Sequence, residues 1–142
     1  MREVYIRLAY KALKEGIEIV GPSYFSNKLG VSKPTAQEAL IKLAEKNYGD
    51  YIPKKGFKLN REGIEKAKEI TMKHRLMECL FYELGMSPEV ACQEATRLEE
   101  HVSTELVTQL RLFFGDRKLC PCGNKIEEEF EDLEVEELEE GL

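Results

Sequence analysis

The sequence lacks long apolar segments, and no stretch approaches the length of a membrane-spanning helix. Its first residues, Met1 to Val4, lead into a helix of mixed polarity rather than into the apolar region of a signal peptide. We therefore expect a cytoplasmic protein with no membrane association. Disulfides are rare in the cytoplasm, so we expect the cysteines to be free thiols or metal ligands rather than a disulfide framework. The cysteines are Cys79, Cys92, Cys120 and Cys122.

The sequence also lacks the groups from which an active site is usually built. It has no glycine-rich phosphate-binding loop and no convincing nucleophile paired with a base. Its only histidines are His74 and His101. We therefore predict that the protein is not an enzyme.

Charge is divided unevenly along the chain, which the net charge of −6 conceals. From Met1 to Arg75 there are 16 Lys or Arg against 9 Asp or Glu, a balance of +7. From Leu76 to Leu142 there are 5 against 18, a balance of −13. The first part can bind phosphates that the second part repels, so the asymmetry predicts two domains.

The segment from Pro22 to Asn60 has the pattern of a winged helix-turn-helix. A short amphipathic run and a tight glycine turn precede Ser32, the N-cap of a second helix that is expected to run from Lys33 to Asn47. Two short apolar segments then flank Lys54-Lys55-Gly56, which predicts a hairpin with a basic tip, the wing. The partner of such a module is double-stranded DNA.

In a helix-turn-helix, the first residues of the second helix face base edges in the major groove. Gln37 can form paired hydrogen bonds to adenine, Lys33 can reach guanine or a phosphate, and the methyl group of Thr35 can touch that of thymine. Lysines of this region are candidates for phosphate contacts. For each lysine taken alone, the alternative is that it is an ordinary solvent-exposed surface residue. The predicted DNA-binding residues are Lys28, Ser32, Lys33, Pro34, Thr35, Gln37, Glu38, Lys42, Lys54, Lys55 and Lys58.

Helical patterns occupy most of the remaining chain. One helix is expected from Glu3 to Glu15, and others begin after the caps Asn60, Ser87 and Ser103 and end near Leu84, His101 and Phe114. The fold is thus predicted to be mainly α, with a winged helix-turn-helix domain at residues 1–72 and an all-helical domain at residues 73–126. A helical domain this small gains stability from a partner subunit.

An acidic tail is predicted for residues 127–142. Acidic side chains make up 10 of these 16 residues, and none is basic. Such a block usually stays solvated and disordered. An inhibitory contact with the basic wing and a helix that binds a partner are the alternatives.

Several segments together resemble the diphtheria-toxin-repressor family of metal-dependent transcriptional regulators, which includes the manganese transport regulators. The resemblance implies a homodimeric repressor that binds double-stranded DNA more tightly with Fe(II) or Mn(II). A dimer of this kind is expected to bind an inverted-repeat operator. The matching segments are Lys28 to Thr35, Leu43 to Tyr48, Gly56 to Gly63, Lys73 to Leu76 and, less specifically, Cys120 to Asn124, within a similarity from about Glu3 to Ile126.

The same resemblance implies a metal site. The family histidine of the Lys-His-Arg-Leu segment falls on His74, and its acidic partner falls on Glu78, one turn later on the same helix face. A second family histidine falls on Cys92, a softer ligand that favours Zn(II) or Fe(II) over Mn(II). A Glu-His pair of the family corresponds to Glu99-Glu100, or to Glu100-His101 if one residue is inserted here. The predicted metal ligands are His74, Glu78, Cys92, Glu99, Glu100 and His101.

Three positions depart from the family pattern. Val4 and Arg7 stand where members supply metal ligands from the first helix, and Thr96 stands where Glu or Cys is expected. A metal-independent regulator is therefore an alternative, in which Arg7 pairs with Glu99 or Glu100 in place of the metal. A winged-helix module that binds a protein instead of DNA is another, because fold does not fix function.

Two of the cysteines form a Cys-x-Cys pair. Cys120 and Cys122 could bind a metal in a turn, with Cys92 or Cys79 as distant partners, although structural zinc sites usually have two residues between their cysteines. Cys79 is expected to be a small buried apolar residue.

Overall fold

A computed structural model describes residues 3–115, 118–123 and 126 of the chain. Within them the chain forms two compact units, one up to Ala67 and one from Lys68 onward. The predicted acidic tail, residues 127–142, lies outside the described residues. The elements are α1 (Glu3–Lys14), α2 (Pro22–Leu29), α3 (Lys33–Glu45), β1 (Gly49–Ile52), β2 (Gly56–Leu59), α4 (Arg61–Glu83), α5 (Pro88–Leu98), a 3₁₀ turn (Glu99–His101) and α6 (Thr104–Phe113).

This order confirms the predicted fold class, a winged helix-turn-helix followed by a helical domain. The division into units falls inside α4, the helix that also contains the predicted boundary between residues 72 and 73. None of the helices in the described ranges is long and apolar enough to cross a membrane.

The helix-turn-helix of the first unit is set by local capping. The positive φ of Gly30, +70°, ends α2, and the Ser32 hydroxyl oxygen accepts a hydrogen bond from the Thr35 amide at 3.2 Å to begin α3. α3 ends two residues earlier than expected, because Asn47 adopts a left-handed φ of +67°. There its carbonyl accepts a hydrogen bond from the Asn60 side chain at 2.8 Å.

The wing is an antiparallel hairpin in which Gly49 faces Leu59 and Ile52 faces Gly56. A third stretch of chain supports it, since the amide and carbonyl of Val20 each hydrogen-bond to Phe57 at 2.9 Å. The bridge lies directly before α2 and attaches the hairpin to the entrance of the helix-turn-helix. The core of this unit includes the fully buried side chains of Tyr5, Ile6, Phe25, Leu40, Leu43 and Phe57.

The second unit packs the latter part of α4 with α5, α6 and the chain that follows them. Serine caps begin its helices, with Ser87 accepting from the Val90 amide at 3.3 Å and Ser103 from the Leu106 amide at 3.2 Å. Its core contains Leu76, Met77, Cys79, Ala95, Leu110, Phe114, Cys120 and Ile126. Cys79 is fully buried there, which confirms the expectation that it is a core residue.

Candidate functional site

Three side chains of different chemistry meet in the second unit. His74 and Glu78 lie one turn apart on α4, and Cys92 faces them from α5. One imidazole nitrogen, one carboxylate oxygen and one sulfur lie within 4.8 Å of one another. His74 and Glu78 are buried and Cys92 is half-buried, so the cluster is largely withdrawn from water.

The imidazole of His74 is held between two carboxylates. Its Nε2 lies 2.7 Å from Oε1 of Glu78 and 3.5 Å from Sγ of Cys92, whereas its Nδ1 lies 2.7 Å from Oε2 of Glu99. Glu99 is 1% exposed, so its charge is removed from solvent. The ring therefore presents Nε2 to the cluster and Nδ1 to Glu99.

The donor set fits a divalent transition ion. Imidazole nitrogen, carboxylate oxygen and thiolate sulfur are the groups that hold Zn(II), and imidazole and thiolate ligands also suit iron. Burial of the Glu78 and Glu99 carboxylates is unfavourable unless positive charge compensates them, and a cation beside Glu78 would supply that charge. The contact of Glu99 with Nδ1 has the form of the carboxylate–histidine pairs that orient metal-binding imidazoles.

The other positions considered as ligands lie outside this cluster. The α-helix gives way to a 3₁₀ turn at Glu99, and this residue is buried whereas Glu100 is exposed. His101 is 71% exposed at its side chain, and its Nε2 lies 3.5 Å from Oε1 of Glu100. The Thr96 hydroxyl donates to the Cys92 carbonyl at 3.0 Å. The cluster contains neither Glu100 nor His101, and variants of these two residues test the metal ligation that the sequence predicted for them.

The predicted DNA-binding residues all belong to the first unit. On α3, Lys33, Thr35 and Gln37 are exposed, whereas Ala36 and Leu40 are buried. Pro34 and Glu38 are also exposed on this helix, and Lys28 is exposed at the end of α2. This surface is available to the edges of base pairs.

Basic side chains also mark the wing. Lys54 and Lys55 are exposed between β1 and β2, and Lys58 is half-buried on β2. Lys54 has a φ of +68°, which helps to reverse the chain at the tip. The hairpin thus presents two lysines at its end, where phosphate contacts of a wing are expected.

Some residues of the predicted DNA-binding set also have local contacts. Ser32 caps α3, and its hydroxyl donates to Oγ1 of Thr35 at 2.8 Å. It therefore has a structural role whether or not it contacts DNA. Nζ of Lys42 lies 3.6 Å from Oε1 of Glu38, an exposed pair that holds neither side chain strongly. Nζ of Lys28 lies 5.5 Å from the ring centroid of Tyr24.

Two family models match the two parts of the chain. Residues 1–57 match the N-terminal DNA-binding domain of the iron dependent repressors, and residues 60–128 match their metal-binding and dimerisation domain. The chain belongs to the iron-dependent repressor family. This confirms the resemblance seen in the sequence.

Relatives of this chain are named as transcriptional regulators. Transcriptional regulator MntR of Escherichia coli O6:H1 is 40% identical over 86 residues, 61% of this chain and 56% of the relative. An HTH-type transcriptional regulator of Methanocaldococcus jannaschii is 30% identical over 112 residues, 78% of this chain and 90% of the relative. The structure of the manganese regulator SloR is 28% identical with a TM-score of 0.78, covering 89% of this chain and 59% of that one. The chain therefore spans just over half the length of MntR and of SloR.

Cys122, which the sequence offered only as part of a Cys-x-Cys turn with Cys92 or Cys79 as distant partners, is a neighbour of the cluster. The thiol of Cys122 lies beside the carboxylate of Glu78, whose negative charge acts on it. Partial burial, followed by the charge of Glu78, raises the pKa of the Cys122 thiol to about 12. The only sequence signal was the Cys-x-Cys pair itself, which does not indicate which distant residue it approaches.

Proposed function

We propose that this protein is a homodimeric transcriptional repressor whose affinity for DNA is controlled by a divalent transition ion, Fe(II), Mn(II) or Zn(II). The observation that carries the proposal is the buried nitrogen, oxygen and sulfur cluster of His74, Glu78 and Cys92 within the part of the chain that matches a metal-binding domain. We propose that the protein acts by binding rather than by catalysis. We also propose that it is located in the cytoplasm, together with the DNA that it binds.

In this proposal His74 holds the ion through Nε2, Glu78 through a carboxylate oxygen and Cys92 through its thiolate. Glu99 is a positioning residue, because it fixes the ring through Nδ1 at 2.7 Å. When bound, the ion supplies positive charge beside buried carboxylates. The thiol of Cys92 must lose its proton to become a ligand, so ion binding releases a proton.

DNA binding is assigned to α3 and the wing. In this proposal the exposed side chains of Lys33, Thr35 and Gln37 in the first turns of α3 contact base edges in the major groove, and Lys54 and Lys55 contact phosphates. Two copies related by a twofold axis require an operator with inverted half-sites. The match to a dimerisation domain and the exposed side chains of Leu112 and Phe113, at 72% and 77%, support a second copy as the partner.

The test measures DNA binding of the full chain with and without a strong chelator. Operators are selected from random duplexes in the presence of Fe(II), Mn(II) or Zn(II), and affinity is then followed by fluorescence anisotropy over a range of salt concentrations. We expect affinity that falls with salt, a selected site with inverted symmetry, and weaker binding after chelation. His74→Ala should remove the response to metal, whereas His101→Ala, a change in the exposed histidine, should retain it.

A metal-independent regulator is the second candidate, favoured by Val4 and Arg7 at positions where relatives of the family supply ligands. Chelator-insensitive, salt-dependent DNA binding would support this candidate and contradict metal control. The absence of any DNA binding at low salt, with metal present, would instead favour a protein-binding role for the winged helix.

A further inference from the structure

Negative charge in the second part of the chain is concentrated in the acidic tail. Residues 127–142 contain 10 acidic side chains and no basic one, a charge of −10. The stretch from Leu76 to Ile126 holds the other 8 of the 18 acidic residues against 5 basic ones, a balance of only −3. The tail is therefore a polyanion attached directly to the last described residue of the second unit.

Positive charge is exposed on the first unit without local compensation. Lys33 at the start of α3 and Lys54 and Lys55 at the tip of the wing are exposed, and α3 packs against both strands of the hairpin. Within the described ranges no carboxylate forms an ion pair with any of these three lysines, whereas Nζ of Lys42 lies 3.6 Å from Oε1 of Glu38. Uncompensated cations of this kind attract an anionic chain.

We propose that the acidic tail binds the exposed lysines of α3 and the wing and competes with duplex DNA for them. The inference rests on the proposed binding of DNA by this surface and adds a regulation of it. Charge selects the first unit as the partner of the tail, because the chain up to Arg75 has a balance of +7. The stretch from Leu76 to Ile126, at −3, repels further negative charge.

The tail has a charge density that suits this competition. Its 16 residues span at most roughly 55 Å when fully extended. Ten charges over that length lie about 6 Å apart on average, and any shorter span brings them closer. Each strand of DNA carries one charge about every 3.4 Å along the helix axis. The tail thus offers the lysines a row of anions similar to a run of phosphates.

Tethering makes a weak contact of this kind effective. A segment joined to its target by a short flexible linker has an effective concentration on the order of 1 mM. Against a dissociation constant of about 0.1 mM for the free tail, that concentration lowers the apparent affinity for DNA about 10-fold. Phosphate contacts are common to all duplexes, so the tail weakens the binding of selected operators and of unrelated duplexes by the same factor.

The first experiment maps the contact in the full chain without DNA. A carbodiimide joins a carboxylate to a lysine amine where the two are in contact, and mass spectrometry of the digested protein identifies both residues. At low salt we expect the tail to cross-link to Lys33, Lys54 and Lys55 more than to Lys11, the exposed lysine of α1 that serves as the control. High salt should remove these cross-links. Equal cross-linking of Lys11, or cross-links confined to Lys118 of the second unit, would overturn the proposal.

The second experiment compares the DNA affinity of the full chain with that of a full-length variant whose tail is neutral, with glutamine for each of its glutamates and Asp132→Asn. We expect the variant to bind operator and unrelated duplexes about 10-fold more tightly at low salt. The two proteins should bind equally at about 0.5 M salt, because screening releases the tail. Equal affinities at low salt would contradict the competition.

A peptide of residues 127–142 separates binding of the tail to the protein from simple repulsion between the tail and DNA. Added at about 1 mM to the neutral-tail variant, the peptide should restore the inhibition, whereas free glutamate at the same total charge should not. No inhibition by the peptide would assign the effect to repulsion and overturn the proposal. If neither protein bound DNA, the proposed function would fail, and the cross-links would still decide whether the tail contacts the lysines.

Discussion

Oε2 of Glu99 lies 2.7 Å from Nδ1 of His74, and both side chains are buried. This contact determines which nitrogen of the ring faces Glu78 and Cys92. A proton on Nδ1 donated to the carboxylate leaves the Nε2 lone pair available for an ion. The orientation of the His74 ring thus depends on a residue 25 positions away in the chain.

Glu99→Gln should weaken metal binding about 10- to 100-fold, because the amide is a poorer acceptor for the Nδ1 proton than the carboxylate is. Chelator competition on the purified protein measures the change. Glu100→Gln is the matched control, since it alters the neighbouring exposed carboxylate, and it should bind metal as the wild type does. A loss in Glu100→Gln equal to that in Glu99→Gln would contradict the assignment of Glu99 as the positioning residue.

Gln37→Ala should relax base selection at one position of each half-site. Loss of a paired hydrogen bond to adenine is worth about 1–3 kcal/mol of discrimination, so affinity for the selected operator falls while affinity for unrelated duplex changes little. Competition between operators that differ at single positions measures the effect. A uniform loss of affinity for all DNA sequences would instead indicate that Gln37 contacts the sugar-phosphate backbone of the DNA.

Lys55→Ala should weaken binding to specific and unrelated duplexes alike. Removal of one phosphate contact at the tip of the wing lowers the slope of log affinity against log salt concentration by about 1. Lys11→Ala, which changes an exposed lysine of α1 outside the predicted interface, serves as the control and should keep the slope. An unchanged slope in Lys55→Ala would remove the wing from the interface.

Gly56→Ala should destabilise the first unit by about 3 kcal/mol. A Cβ atom at this position would collide with the carbonyl of Val20, and the φ of +134° is unfavourable for alanine. Gly30→Ala is the comparison, because its φ is +70° but no atom lies within 4 Å of the added carbon, and it should cost only about 1 kcal/mol. Urea unfolding measures both variants. Equal losses of unfolding free energy in the two variants would show that a small shift of the chain relieves the contact with Val20.

The sequence by itself determined the local features of this protein. Ser32, Ser87 and Ser103 begin helices as expected, because an N-cap is a contact between residues three positions apart. The pairing of His74 with Glu78 could be predicted for the same reason, since a spacing of four residues places both on one helix face.

Only the tertiary structure decided how distant segments meet. The resemblance left open whether Glu99-Glu100 or Glu100-His101 corresponds to the Glu-His pair of the family. Packing of the 3₁₀ turn decided that Glu99 is the residue buried against His74. The bridge from Val20 to Phe57 and the contact of Cys122 with Glu78 join segments 37 and 44 residues apart. Such contacts depend on the packing of a common core rather than on local sequence, and here that core places a half-exposed turn beside a buried carboxylate.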